Sequence, residues 1–374
     1  MKAYLDNGAT TRVDPRVVKV MKPFFTKHYG NPSSLHSWGR TAREAVEKAR
    51  KTIADKIGAK PQEIIFTSGG TESDNLAIKG VALKKGKGHI ITSKIEHHAV
   101  LNTCKSLEKK GFKVTYLPVD TEGFVKTNHL KRALRDNTIL VSIMHANNEI
   151  GTIQPIKEFY KICRKNKVLF HTDAVQSFTK TSLKAASADL ISLSSHKIHG
   201  PKGVGALYVK DNVRLEPVLH GGGHESGLRA GTENAPGVIG FAKAVELCRE
   251  PHIKEMTKLR DYLIKEVKKI DGSRINGPLK KRLCNNLNAS FEGVEGESLL
   301  LQLDAEGIAV STGSACSSKE LEPSHVLTAI GLRPEQSHGT IRATISRFTT
   351  KEEIDYFLKN LREIIKKLRS MNPL

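Results

Sequence analysis

The chain has 374 residues, enough to bury one large core or two smaller ones. Its 38% apolar and 26% charged residues are those of a globular protein in water, and no apolar run reaches the ~18 residues of a membrane-spanning helix. A net charge of +21 is high, but the basic residues are scattered and the aromatics (5%) are not interleaved with them, so a solvated basic surface or an acidic partner is expected and direct nucleic-acid binding is not.

In chain order, 1-MKAYLDNGATT-11 lacks the apolar core of a secretory signal, and a cytoplasmic location is expected. Cys104, Cys163, Cys248, Cys284 and Cys316 contain no CxxC pair and read as free thiols in a reducing compartment. Helical spacing runs over 41–58 and stops at Gly58. Strands follow at 63–67, 89–93, 113–119, 138–144, 167–172, 189–193 and 204–209, with helices such as 73–85 and 157–166 between most of them. That alternation predicts an α/β fold with a mainly parallel central sheet. A charged helix over 252–270 leads into looser strands at 285–291, 307–310 and 340–346, and a helix over 351–370 closes the chain. The expected division is a large domain over 15–251 and a small α+β domain built from 1–14 and 252–374.

Five strands end in polar residues that a buried loop would not choose: Ser68-Gly69-Gly70-Thr71, Glu96-His97-His98, His145 to Glu149, Asp173 to Gln176, and Ser194 to Lys197. Open parallel sheets bind ligands at the carboxyl ends of their strands, so one site assembled from dispersed segments is expected. Gly69-Gly70-Thr71 before a helix suits a phosphate, or is a glycine turn with a threonine cap. Asp173 can fix a protonated ring nitrogen or cap a helix. His97 can stack on a planar cofactor and move a proton, or be a structural donor. His196 with His199, and His220 with His224, have no Cys or carboxylate to complete a metal set, so no metal is expected.

Lys197 ends an apolar run between two histidines, a costly place for an ammonium unless it is paired, neutral or covalently occupied. A desolvated lysine is a Schiff-base nucleophile, and the hydroxyl of Ser194 and imidazole of His196 suit a phosphate. Lysine, ring-nitrogen aspartate and anion cradle together describe pyridoxal 5'-phosphate. Cys316 lies in 311-STGSACSS-318, poor packing for a buried thiol and apt for a mobile nucleophile, although a loop bystander fits too.

The motifs 4-YLDNGATT-11, 31-NPSSLHSWG-39, 67-TSGGTESDNLAI-78, 145-HANNEIGTIQPI-156, 173-DAVQS-177, 194-SSHKIHGPKG-203, 228-LRAGTEN-234 and 313-GSACSSKELEPSHVL-327 together resemble the cysteine desulfurases (NifS/IscS type) of the class V aminotransferase superfamily. The resemblance spans the chain and implies a fold type I pyridoxal phosphate enzyme. It makes Lys197 the cofactor lysine, Asp173 the partner of the ring nitrogen and Gln176 that of the ring hydroxyl. His97 would stack on the ring and assist proton transfer. Gly70, Thr71, Ser194 and His196 would hold the phosphate, and Thr232 would reach that of a neighbouring subunit in a homodimer. Asn148 and Arg342 would bind the carboxylate of L-cysteine, and Cys316 would take the sulfur as a persulfide. Its acceptor stays open between an iron–sulfur scaffold, a tRNA-thiolation enzyme and another carrier, since the chain stops at 370-SMNPL-374 without a longer docking tail. A selenocysteine lyase or another class V aminotransferase is the nearer alternative, a non-catalytic basic binding protein the further one. Gly8 departs from the family pattern and is expected only to alter a turn.

Overall fold

The computed structural model describes residues 1–312 and 323–371, so Cys316 lies outside the described residues. The first strand, β1 (Ala3–Tyr4), is followed by seven that form one sheet: β2 (Ile64–Thr67), β3 (His89–Ser93), β4 (Lys113–Leu117), β5 (Thr138–Ser142), β6 (Leu169–Asp173), β7 (Leu190–Ser194) and β8 (Gly205–Val209). Their order is β2-β8-β7-β6-β5-β3-β4. Only β8 runs against its neighbours. A parallel return needs a crossover of about a dozen residues or more, and residues 195–204 are too few, so β7 and β8 pair antiparallel. The expected α/β architecture with a mainly parallel sheet is what the structure has.

Both faces of the sheet are covered, which is why its strands read as apolar runs. Alternate side chains serve opposite faces. Ile91, Val141, Phe170 and Ile191 join Phe159, Phe178 and Phe241 on one side, while Ile90, Leu140, Leu190 and Leu207 meet Leu76 and Val100 on the other. The helix expected over 41–58 spans Ser37–Ile57; it starts on a His36 cap whose Nδ1 accepts from the Gly39 amide, and it ends on Gly58 at φ 71°. The helix expected from residue 73 starts at Gly70, and its cap is Gly69, with no side-chain cap bond. Thr71 is therefore inside the first turn and does not cap it.

Beyond the helix Glu250–Val267, β9 (Ser273–Ile275), β10 (Asn286–Phe291), β11 (Ile308–Ala309), β12 (Ser311–Thr312) and β13 (Thr340–Thr344) follow. Four of them make the antiparallel sheet β12-β13-β10-β9, and β11 pairs in parallel with β1. Ala3 and Leu5 are buried in this second core with Leu263, Phe291, Leu299 and Phe357. The stretch between Leu5 and Thr11 thus leaves the second core for the first, where the Thr11 amide donates to the His196 carbonyl. No helix among the described residues is long and apolar enough to cross a membrane.

Candidate active site

The carboxyl ends of β2, β3, β5, β6 and β7 open into one cleft of about 300 Å³, lined by Gly70, Thr71, His97, Asn148, Asp173, Gln176, Ser194, His196, Lys197 and Arg342. Nine of these ten come from the strand ends singled out above; Arg342 arrives on β13. Thr232 does not line the cleft and is exposed. Gly8, Ala9, Asp74, Met144 and Val175 also face it.

Lys197 Nζ donates to the carbonyls of Gly8 and Ala9, each at 2.7 Å. The Gly8 carbonyl also accepts from Gln176 Nε2 at 2.9 Å, and the Gly8 amide donates to Thr344 Oγ1 at 2.6 Å. Gly8 is thus part of the site. A Cβ there would come within 3.1 Å of Thr344 and 3.4 Å of the Arg342 guanidinium carbon. The expectation that Gly8 only alters a turn is corrected by these contacts: its backbone holds both the lysine and the glutamine.

Asp173 ends β6 and accepts from the Val175 amide at 2.8 Å. Burial pushes its carboxyl up to about 6, while that N–H and the Lys197 charge pull the other way. His97 caps the helix His98–Glu108 through Nδ1, which accepts from the Ala99 amide at 3.1 Å. Burial first, and then the positive charge of Lys197, holds it down to about 4, so it is a neutral ring carrying its proton on Nε2. His196 Nδ1 lies 3.1 Å from Thr10 Oγ1 and is lowered to about 4, again mainly by burial.

On the opposite wall Arg342 Nη2 pairs with Asp6 Oδ1 at 3.0 Å and Nη1 donates to the Asn148 carbonyl at 3.2 Å. Its Nε is buried without a partner among the described residues. Asp6 went unnoticed in the sequence because its partner is 336 residues away. Glu96 was also missed as a structural group. Its carboxylate lies under the cleft, accepting from Ser93 Oγ at 2.5 Å and from the Met144 amide at 3.0 and 3.1 Å.

Burial pushes Glu96 up to about 8, against the Ser93 hydroxyl and the Met144 amide. The folded state then keeps a proton that the unfolded chain releases near 4.5. Its contribution to stability is complete below that value and is lost as pH rises through about 8. Glu96→Gln keeps the acceptor and loses the titration. Melting curves at about pH 5 and about pH 8.5 should therefore show the variant gaining on the wild type only at the higher pH, by up to a few kcal/mol. An equal effect at both values would contradict this.

The described residues on either side of 313–322 adjoin the cleft. Ser311 pairs with Arg342 in the β12–β13 ladder, and His325 Nε2 lies 2.9 Å from the Glu96 carbonyl, next to His97.

The chain as a whole is similar to known proteins. A family model for aminotransferase class-V matches residues 3–357. The chain is 56% identical over 381 residues to the cysteine desulfurase IscS of Dictyoglomus turgidum, covering 100% of this chain and 96% of that protein. Among solved structures, a NifS-like protein superposes with a TM-score of 0.92 at 44% identity, covering 98% of this chain and 100% of the other. SspA in complex with cysteine gives a TM-score of 0.85 at 40% identity, covering 93% of this chain and 100% of the other. With a match along nearly its whole length, the chain belongs to the class V aminotransferase family, where it stands among the cysteine desulfurases.

Proposed function

We propose that this protein is a cysteine desulfurase that converts L-cysteine to L-alanine and carries the sulfur as a persulfide on Cys316. The observation that carries the proposal is the convergence of Lys197, Asp173 and His97 on one cleft that also presents Arg342.

Pyridoxal phosphate is the cofactor of this family, and the residues fit it. Ser194 Oγ is buried with no hydrogen-bond partner among the described residues, near the N-terminus of the helix Gly70–Lys85, whose cap residue makes no side-chain bond to the first-turn amides. A Cβ on Gly70 would lie 2.6 Å from Val175 Cγ2, so glycine keeps the backbone open there. Gly70, Thr71, Ser194 and His196 would hold the phosphate, Asp173 the ring nitrogen, Gln176 the ring hydroxyl, and Thr232 would reach the cofactor of a partner subunit. When bound, the cofactor supplies an electron sink for charge developing at the substrate Cα.

The chain's own residues do the rest. Arg342, braced by Asp6, offers a planar fork to the substrate carboxylate with Asn148 beside it. Lys197 holds the proton taken from Cα, and neutral His97 can give one from Nε2. The thiolate of Cys316 attacks the substrate sulfur: an S–S bond forms, the Cβ–S bond breaks, and the carbon keeps the electron pair and takes a proton. Cysteine and enzyme thiol thereby become alanine and enzyme persulfide, with no outside oxidant. A thiol of an acceptor protein, such as an iron–sulfur scaffold or a tRNA-thiolation enzyme, resolves the persulfide.

The large domain, 15–251, would bind the cofactor, and the small one, 1–14 with 252–374, would present the cysteine segment. A homodimer fits the exposed apolar side chains of Phe25, Tyr29, Leu35 and Trp38, which are 56–83% exposed in the single chain. A cytoplasmic setting suits the unpaired thiols of Cys104, Cys163, Cys248 and Cys284.

The direct test is to incubate the purified protein with pyridoxal phosphate, L-cysteine and a reductant. Alanine and sulfide should appear in equal amounts. A 2-oxo acid in place of sulfide would point to an aminotransferase and overturn the proposal.

A further inference from the structure

Asp74 is an ionisable group that the mechanism above leaves without a task. It stands one turn beyond Thr71 on the helix Gly70–Lys85, and its side chain is 2% exposed. Below it lies the face of the sheet that carries His171 and Asp173 on β6, with Ser192 of β7 in register with Asp173. Asp74 Oδ1 approaches His171 Nε2 to 3.6 Å but has no hydrogen-bond donor among the described residues. His171 cannot supply a countercharge: its ring lies between Ser142 Oγ at 2.8 Å and Ser192 Oγ at 2.9 Å, and burial lowers it to about 3.

Three buried carboxyl groups thus share one layer at the strand ends, Asp74 and Asp173 in the wall of the cleft and Glu96 behind it. Like charges in such a layer cannot all ionise, and the proton goes to the members with the least support. Asp173 has the Val175 amide and the nearby charge of Lys197. Glu96 has the Ser93 hydroxyl and the Met144 amide, yet is held protonated by burial. Asp74 is helped only by the Ser192 hydroxyl, which also contacts His171 Nε2, while burial first and then the charge of Asp173 raise its carboxyl.

We propose that Asp74 is a positioning residue that keeps a proton, so that Asp173 carries the only negative charge beneath the cofactor ring. The role rests on the cofactor reading above. An ionised Asp74 would drive the shared proton onto Asp173, which could then no longer accept from the ring nitrogen. A neutral Asp74 leaves Asp173 as an acceptor and needs no cation of its own.

The experiment reads the carboxyl group directly. Protein labelled with carboxyl-¹³C aspartate is examined by infrared spectroscopy near neutral pH, before and after loading with pyridoxal phosphate. The label separates aspartic acid bands from that of Glu96. One shifted carboxylic acid band should be present in both states, absent in Asp74→Asn and retained in Asp173→Asn. Nitrogen NMR of cofactor labelled at the ring should show the same protonated nitrogen in wild type and Asp74→Asn, since asparagine resembles the neutral acid. The absence of an aspartic acid band, its survival in Asp74→Asn, or loss of ring protonation in that variant would overturn the proposal. If Asp74→Asn does not fold, the labelled wild type and Asp173→Asn still decide. If the protein takes up no cofactor, the cofactor reading fails, while the band in the unloaded protein still reports on Asp74.

Discussion

Lys197→Ala should leave a folded protein that binds pyridoxal phosphate only reversibly and releases sulfide from L-cysteine at least ~10³-fold more slowly, since one positioned proton carrier is worth about 10²–10⁴ and the covalent anchor is lost as well. The reason lies in the local geometry. The Lys197 amine sits at the end of β7, 2.7 Å from two backbone carbonyls of the 6–11 segment. Lys197 lies in the turn beyond β7, outside the β7–β8 ladder, so alanine removes the amine without disturbing that ladder. Borohydride treatment followed by intact mass measurement provides the check. Wild type should gain the reduced cofactor and the variant should not. A variant that still forms the adduct would move the cofactor lysine elsewhere in the chain.

Cys316→Ala should separate the two halves of the chemistry. Cofactor absorption should be unchanged, because the assigned cofactor contacts all lie outside 313–322. Sulfide release should fall to the level of the reaction without enzyme. No described cysteine is placed to substitute: burial pushes the thiols of Cys104 and Cys163 up to about 12 and raises that of Cys284, which keeps them protonated and unreactive. Cys248 does not line the cleft and packs by Arg347, whose Nη1 lies 3.5 Å from its sulfur. Mass spectrometry of peptides after L-cysteine treatment should find one added sulfur on the wild-type peptide containing Cys316 and none in the variant. Undiminished turnover of the variant would remove Cys316 from the mechanism.

Both predictions concern residues visible in the sequence, and the reason is local. Lys197, Asp173, His97 and Thr71 each follow directly on an apolar strand, and the polarity change at a strand end is a feature of the linear text. Parallel strands with helical returns place all those ends on one side of the sheet, so period and polarity sufficed to gather them. The large central sheet was legible for the same reason.

Contacts across hundreds of residues were not. Gly8 looks like a turn residue until the segment between the two cores brings its carbonyl to both Lys197 and Gln176. Asp6 gains its meaning from Arg342, and Asp74 from the buried layer it shares with Asp173 and Glu96. The sequence by itself determined the strand-and-helix alternation and which chemical groups stand at the strand ends, because both follow from side-chain polarity over a few residues. Tertiary structure alone decided which of those groups are charged, since that depends on the water excluded and the partners supplied by segments distant in the chain.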